Sequence, residues 1–288
     1  MYREHRVVVV TPSGRRRYLE LLVPQILAFQ GVVDEYRLWL NTQDVDDLAY
    51  CEQLAATHPG FITLERLPEG VHVDGNMSIH HFFKGCVDPH TVYVRLDDDI
   101  ILLDTLDAFK EMLDFRLDHP EFFLVYGCIL NNAVVTHIQQ RLMRFGTVDG
   151  LSGYACTDPV GWKSPRFAEH VHRSILKTIQ LRPEPSLAAF RMPPWRLHYT
   201  RVGERVSINC ICWLGSEFAA FGGAVGADEE VWLSVQKPFL ADKCNCIFGG
   251  FVCVHYAFYP QRPHLDTTNI LESYRAIVLP ETTHKTRQ

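Results

Sequence analysis

The stretch Thr91-Val92-Tyr93-Val94-Arg95-Leu96-Asp97-Asp98-Asp99, which Ile100-Ile101-Leu102-Leu103 follows, decides the fold of this chain. Its β-branched and aromatic residues predict a buried strand. Three neighbouring carboxylates cannot lie unpaired in a core, because burying bare charge costs more free energy than a fold can offset. We therefore expect the acids at an edge or cleft, where a hard divalent cation and phosphate oxygens are natural partners. A solvated turn after a strand stays open as the simpler interpretation.

The composition limits the classes of partner. With 288 residues, 47% of them hydrophobic, the chain can bury a large core. A formal net charge of −6 argues against nucleic acid as the main partner. The local basic cluster Arg15-Arg16-Arg17 leaves phosphate binding and peripheral association with anionic lipid open. No apolar stretch reaches the about 20 residues that a membrane span needs, and the run at residues 7–10 is too short for a signal-peptide core. We expect a cytoplasmic protein.

The cysteines give no clear metal pattern. There are nine, and two pairs have C-x-C spacing, Cys210 with Cys212 and Cys244 with Cys246. Structural zinc sites usually have wider C-x₂₋₄-C spacing. We interpret these residues as small buried hydrophobes in a reducing compartment.

Strands and helices alternate in the first half of the chain. The predicted strands are 6–10, 35–40 and 61–66. The predicted helices are 18–30, interrupted by Pro24, and 44–57. This alternation predicts an α/β fold with an open, mostly parallel sheet flanked by helices. The turn at residues 11–17 is where such sheets bind nucleotides, although a solvated basic turn is an equal interpretation.

The second half continues the pattern around an irregular segment. The predicted elements are a helix at 104–118, a strand at 122–130, a helix at 167–180, strands at 206–214 and 244–259, and a helix at 269–278. From 146 to 205 repeated prolines exclude long regular elements, so we expect an insertion or lid. The aromatic and imidazole side chains that are candidates for stacking on a sugar, or for anchoring the loop, are Trp162, Trp195, His198 and Tyr199.

A second acidic motif, Gly226-Ala227-Asp228-Glu229-Glu230-Val231-Trp232-Leu233, starts a predicted helix. Asp228 can cap that helix, and the acids suit its dipole, so a purely structural account exists. Further on, His255 lies in an apolar run, where a histidine is more often a core residue than a ligand.

The Asp triplet after a central strand resembles the DXD motif of GT-A-fold glycosyltransferases, and the chain is similar to family 2-like members. The later acidic motif resembles the acidic segment of inverting members, and the two motifs in this order cover most of the chain. The resemblance implies a metal-dependent enzyme. In that family the DXD acids hold Mn²⁺ or Mg²⁺ on the diphosphate of a nucleotide sugar, a later carboxylate is the general base, and a C-terminal histidine completes the metal site.

Carried onto this sequence, the resemblance implies a metal site of Asp97, Asp99 and His255, and a catalytic base at Asp228 or Glu229. The residues it implies for binding the nucleotide sugar are Thr11, Pro12, Arg17, Asn41, Asn76, His81, Asp97 and Asp98. Arg262 and His264 are further candidates for the diphosphate.

The implied function is transfer of one hexosyl or pentosyl group, with inversion, to a glycan, lipid-linked or protein-linked acceptor. A UDP-sugar is favoured as donor, with GDP and TDP open. The implied organisation is a single GT-A-like domain, 1–288, with a nucleotide-sugar-binding half at 1–130. The acceptor half is 131–288, with the insertion at 146–205. The Q-x-x-R-W motif of processive synthases is absent.

Three alternatives stay open. A sugar-phosphate nucleotidyltransferase shares the fold class, but usually has a Gly-rich, Lys-containing loop, whereas residues 11–17 hold one Gly and no Lys. A haloacid-dehalogenase-like phosphatase places its nucleophile after the first strand of its domain, not after the third. A non-catalytic sugar- or metal-binding module would leave the acids at 228–230 without a role.

Overall fold

A computed structural model describes residues 1–182, 186–197 and 205–280. Within these residues, nine strands form one sheet in the order β3-β2-β1-β4-β8-β6-β9-β5, with β7 paired to β9. The strands are β1 (Arg6–Ser13), β2 (Glu35–Leu40), β3 (Ile62–Glu65), β4 (Thr91–Leu96), β5 (Ile100–Leu103), β6 (Phe122–Leu130), β7 (Trp195–Leu197), β8 (Cys210–Leu214) and β9 (Cys244–His255).

Helices flank this sheet. The α-helices are α1 (Arg16–Leu27), α2 (Val45–Thr57), α3 (Leu106–Asp118), α4 (Ala133–Arg141), α5 (Pro165–Gln180), α6 (Gly215–Ala219), α7 (Glu229–Val231), α8 (Lys237–Leu240), α9 (Arg262–Leu265) and α10 (Ile270–Val278). The 3₁₀ and π segments are Gly75–Gly85, Pro159–Lys163, Ala188–Phe190 and Trp232–Gln236. Pro24 lies inside α1, which continues through it.

The sheet confirms the predicted fold class. β1 pairs in parallel with β2 and β4, and β2 with β3. The run from Val7 to Val10 is fully buried, as expected for strands covered on both faces. β8 is antiparallel to both β4 and β6, while β6 and β9 form a long parallel pairing. By paired length the sheet is mostly parallel, and β8 brings residues from the C-terminal half between two N-terminal strands.

Several predicted boundaries are wrong in detail. β8 begins at Cys210 rather than 206, and β9 ends at His255 rather than 259. Helix α4 was not predicted, because Asn132 was interpreted only as a strand end. Its side chain accepts from Val135 N at 3.3 Å and caps the helix instead. Strand β7 was also not predicted. Of the loop residues proposed for stacking, His198 and Tyr199 lie outside the described residues.

The cysteines of both C-x-C pairs are free thiols on strands. Cys210, Cys212 and Cys246 are buried, and burial raises the pKa of Cys212 and Cys246 to about 12. Such thiols stay protonated and behave as hydrophobic side chains. None of the helices in the described part of the chain is long and apolar enough to span a bilayer.

The fold places the Asp triplet at a switch in strand order. From β1 the chain moves outward to β2 and β3, then returns to β4 on the opposite side of β1. The carboxyl ends of β1 and β4 therefore lie side by side, with Val10 opposite Arg95. The turn from Asp97 to Asp99 closes through Ile100 N, which donates to Asp97 O at 3.0 Å. Open α/β sheets bind ligands at such a point.

Candidate functional site

A cavity of about 640 Å³ opens at this switch point. It is large enough for a small-molecule ligand, since ligand cavities generally span roughly 300–1,000 Å³. Most of the sequence-predicted site residues line it. They are Pro12, Asn41, Asn76, Asp97, Asp98, Asp99, Asp228, Glu229 and His255.

Four predicted side chains lie apart from this cavity, and one of them, His264, instead pairs with Glu169 at 2.6 Å. Thr11 Oγ1 accepts from the hydroxyl of Tyr36 at 3.1 Å inside the core. Arg17 donates to Asp266 at 2.9 Å, and the ring of His81 lies 3.9 Å from that of His80. Their placement gives no support to a role in nucleotide binding.

Asp98 connects the turn after β1 with the turn formed by Asp97 to Asp99. Its carboxylate accepts from Gly14 N at 3.1 Å and from Arg15 Nε at 3.2 Å, and it also pairs with Arg15 Nη2. Burial raises the pKa of Asp98, against the opposing effect of the Arg15 guanidinium. Binding of the donor by Asp98, as predicted, would therefore have to compete with this internal ion pair for the carboxylate.

Asp99 faces three cationic or potentially cationic groups. Its Oδ2 lies 2.9 Å from Arg15 Nη1, 3.2 Å from Arg262 Nη2 and 3.5 Å from His255 Nε2. Burial works to raise the pKa of Asp99, but Arg15, His255 and Arg262 together hold it well below its usual range. Asp99 is therefore ionised across the physiological pH range.

His255 is oriented as a histidine ligand would be. Its Nδ1 lies 3.1 Å from the carbonyl oxygen of Asn131, which can only accept, so Nδ1 carries the hydrogen. In the neutral ring Nε2 then presents a lone pair to Asp99 Oδ2. Two acceptors that face each other need a proton or a cation between them. Metal-binding histidines are commonly fixed by such a bond from the other ring nitrogen, but here Arg15 and Arg262 already pair with the same Asp99 oxygen.

Asp97, the third predicted metal ligand, is turned elsewhere. Its Oδ1 accepts from Arg95 Nε at 2.9 Å, and its Oδ2 accepts from Asn209 Nδ2 at 2.9 Å. Over residues 1–182, 186–197 and 205–280, no group of three or more His, Cys, Asp or Glu side chains is arranged to hold one metal ion. The structure thus pairs Asp99 with His255 and keeps Asp97 on a separate network.

Arg95 connects that network to the second acidic motif. The side chain is 3% exposed, and its Nη1 donates to Glu229 Oε1 at 2.8 Å. Burial alone would lower the pKa of Arg95, but Asp97 and Glu229 raise it, so the guanidinium stays charged. Arg95 is not among the site residues predicted from the sequence. The signal was available, because an arginine in a strand covered on both faces requires a buried acid.

Glu229 is the most perturbed carboxyl group of the second motif. One oxygen, Oε1, accepts from Arg95. The other, Oε2, is buried and has no hydrogen-bond partner among the described residues. Burial raises the pKa of Glu229 to about 7 in spite of Arg95. A buried carboxyl group with a free oxygen and a pKa near neutrality is suited to accept a proton.

The neighbours of Glu229 have other partners. Asp228, 55% exposed at its side chain, accepts from Val231 N at 3.1 Å and caps α7. Glu230 pairs with Arg205 Nε and accepts from Cys156 Sγ at 3.2 Å. Asp228 therefore has the structural role that the sequence allowed, which leaves Glu229 as the better candidate base.

The segment 146–205 contributes to the cavity wall. The described residues of this segment that line it are Cys156, Thr157, Trp162 and Arg205. Trp195, by contrast, donates from Nε1 to the hydroxyl of Tyr154 at 3.1 Å, and it does not line the cavity. The segment as a whole was predicted from the sequence, but its cavity residues Cys156 and Arg205 were not. Asn209, which follows the segment and also lines the cavity, was not predicted either.

No family model matches the sequence, and no curated protein matches it. Solved structures give weak similarities. A 4-diphosphocytidyl-2C-methyl-D-erythritol synthase from Anaerococcus prevotii DSM 20548 aligns at 12% identity and a TM-score of 0.33, over 43% of this chain and 55% of that one. The chain thus spans about half the length of that structure.

Two further structures extend the range. A mannose-1-phosphate geranyltransferase from Thermus thermophilus aligns at 16% identity and a TM-score of 0.32, over 44% of this chain and 42% of that one. A UDP-glucose pyrophosphorylase from Acinetobacter baumanii aligns at 9% identity and a TM-score of 0.43, over 96% of this chain and 95% of that one. Values this low indicate neither a shared family nor a shared activity.

Proposed function

We propose that the protein is a metal-dependent, inverting glycosyltransferase that uses a nucleotide-sugar donor. One observation supports this function above the others. Glu229, with a buried unpartnered oxygen and a pKa of about 7, lines the same cavity as Asp99 and His255. A base at one end and a cation-binding pair at the other are the two requirements of this reaction.

The donor end is built from the turns after β1, β2 and β4. Pro12 and Asn41, near the carboxyl ends of β1 and β2, and Asn76, in the segment Gly75–Gly85, would contact the nucleoside, because all three line the cavity. Asp99 and His255 would hold Mn²⁺ or Mg²⁺. When bound, the cation would stabilise the negative charge on the departing diphosphate. Arg262 lines the cavity with a side chain that is 25% exposed, so its guanidinium can bind a phosphate oxygen.

At the acceptor end Glu229 acts as general base. Its carboxylate takes the proton of an acceptor hydroxyl while the hydroxyl oxygen forms a bond to the anomeric carbon. The bond from this carbon to the diphosphate oxygen breaks, and its electron pair leaves with the nucleoside diphosphate. Attack opposite the leaving group inverts the configuration. Cys156, Thr157, Trp162 and Arg205 supply part of the wall, and a wall that excludes water protects the donor from hydrolysis.

We assign the transferred group to the hexosyl or pentosyl class and favour UDP as the nucleotide. The acceptor would be a glycan, free or carried by lipid or protein, and the reaction would take place in the cytoplasm. We propose that residues 1–130 bind the donor and that residues 131–288 bind the acceptor.

A thermal-shift panel of UDP, GDP, TDP and CMP, each with Mn²⁺ and with EDTA, tests the proposal. A ligand at 100 times its dissociation constant stabilises a fold by about 2.7 kcal/mol. We expect one nucleoside diphosphate to raise the melting temperature only with Mn²⁺. No shift with any nucleotide would contradict the proposal. Release of pyrophosphate from UTP and a sugar 1-phosphate would indicate a nucleotidyltransferase instead.

A further inference from the structure

Arg95 lines the cavity and contacts one acid from each of the two acidic motifs. Its Nε and Nη2 face Asp97 Oδ1 at 2.9 and 2.8 Å, and its Nη1 faces Glu229 Oε1 at 2.8 Å. The guanidinium lies 6.0 Å from the ring centroid of Phe83, which supports it from one side. The planar guanidinium fork of arginine can donate hydrogen bonds to two carboxylates in fixed directions, whereas a lysine ammonium cannot fix the positions of both.

Stability alone does not account for this triad. Replacing a buried ion pair by packed hydrophobic residues is often neutral or stabilising, so a buried arginine between two acids is weak evidence for a purely structural role. All three residues of the triad line the cavity. This placement argues for a role in fixing where the two carboxylates lie.

The two acids depend on Arg95 to different extents. Asp97 has a second anchor, because its Oδ2 accepts from Asn209 Nδ2 and its backbone N donates to Asn209 O, both at 2.9 Å. For the carboxylate of Glu229, Arg95 is the one hydrogen-bond donor found within the described ranges. Loss of Arg95 would therefore release Glu229 while Asp97 stays held.

We propose that Arg95 is a positioning residue that fixes Glu229 by one oxygen and leaves the other oxygen without a competing hydrogen bond, as the proposed base requires. This inference rests on the proposed function. It predicts a split in the kinetic constants. Turnover should fall because the base is misplaced, whereas donor binding should persist because Asp97, Asp99 and His255 keep their own contacts.

The test compares Arg95→Lys and Arg95→Met with the wild type. The assay follows nucleoside diphosphate release from the nucleotide sugar whose diphosphate gave the thermal shift, with water as acceptor. We expect kcat to fall about 100-fold in Arg95→Met, within the range that a general base contributes. We expect a loss of about tenfold in Arg95→Lys, which keeps the charge but not the fork. Donor KM should change less than about threefold in both, since positioning of the base acts on the transition state.

Arg116→Met is the matched control. Arg116 is also a fully buried arginine, but it donates to the carbonyl oxygens of Phe122 and His119, both at 2.6 Å, and does not line the cavity. Its loss should lower stability with no change in kcat per folded molecule. If Arg95→Met does not fold, Arg95→Lys alone decides the matter, because its predicted kcat loss is still measurable.

Three results would overturn the inference. One is an unchanged kcat in the Arg95 variants, and another is a parallel change in kcat and KM. The third is an equal kcat loss in Arg116→Met. Each of these leaves the proposed function intact, because the wild type still consumes donor. If the wild type consumes no sugar donor carried on UDP, GDP, TDP or CMP, the proposed function and this inference are overturned together.

Discussion

The chain has two runs of three acids, and the structure treats them differently. In the run from Asp97 to Asp99, every carboxylate accepts from N–H donors, and Arg15 alone contacts two of the three. In the run from Asp228 to Glu230, the outer acids cap a helix and pair with Arg205. Glu229 between them keeps one buried oxygen free of any described partner. Three acids in a row thus indicate a site, but only the partners show which acid can react.

The largest predicted effect tests whether Glu229 is the reactive acid of the second run. Glu229→Gln should lower donor turnover by about 100-fold to 10,000-fold, because the amide cannot accept the proton. Nucleotide binding in the thermal-shift assay should be unchanged. Glu230→Gln is the matched control, since Glu230 is paired with Arg205, and we expect a loss of less than about tenfold. Equal activity of Glu229→Gln and the wild type would show that Glu229 is not the base.

A second prediction concerns pH. The folded-state pKa of Glu229, about 7, is higher than its ordinary value of 4.5, so the folded protein binds this proton more tightly than the unfolded chain. The stability that this group contributes is full below pH 4.5 and is lost as pH rises through 7, by up to about 3 kcal/mol. Urea unfolding at pH 5 and pH 8 should show this loss in the wild type. Glu229→Gln should lack it, and parallel pH curves would contradict the burial of Glu229.

The third prediction tests whether the first acid run, together with His255, takes part in metal-dependent nucleotide binding. His255→Gln should remove most of the Mn²⁺-dependent stabilisation by nucleotide, about 2.7 kcal/mol at 100 times the dissociation constant. The reason is that Nε2 lies 3.5 Å from Asp99 Oδ2, where the proposed function places the cation. Arg17→Ala, whose side chain pairs with Asp266 away from the cavity, should bind nucleotide as the wild type does. A normal shift in His255→Gln would exclude His255 as a ligand.

The smallest effect concerns the helix cap. Asp228→Ala should cost about 1 kcal/mol of unfolding free energy, because Val231 N loses its acceptor. Donor turnover should fall less than about tenfold, which urea unfolding and the release assay measure on the same sample. A turnover loss as large as in Glu229→Gln would assign the base to Asp228 instead.

Much of the fold could be predicted from local pattern. The strands Glu35–Leu40 and Phe122–Leu130 have the predicted bounds, because their runs of aliphatic and aromatic residues are flanked by turn residues. Helix α4 could not be separated from the preceding strand, since a cap asparagine and a strand-ending asparagine are the same residue type. The antiparallel position of β8 depends on long-range pairing that no local pattern encodes.

For the site, the sequence located the acids but not their partners. Asp99 and His255 come together because β5 and β9 pair antiparallel, with Ile100 opposite His255. The contact between Arg95 and Glu229 joins residues 134 positions apart. The sequence therefore grouped Asp97 with Asp99 as metal ligands, whereas the side chains divide between two networks.

The most direct measurement is proton NMR of a UDP-sugar with an α-linked donor group during its slow hydrolysis by the protein with Mn²⁺. A single displacement assisted by Glu229 predicts that the β-anomer of the free sugar appears first. Glu229→Gln should release sugar at least about 100-fold more slowly. First appearance of the α-anomer, or equal release by Glu229→Gln, would contradict an inverting transferase with Glu229 as its base.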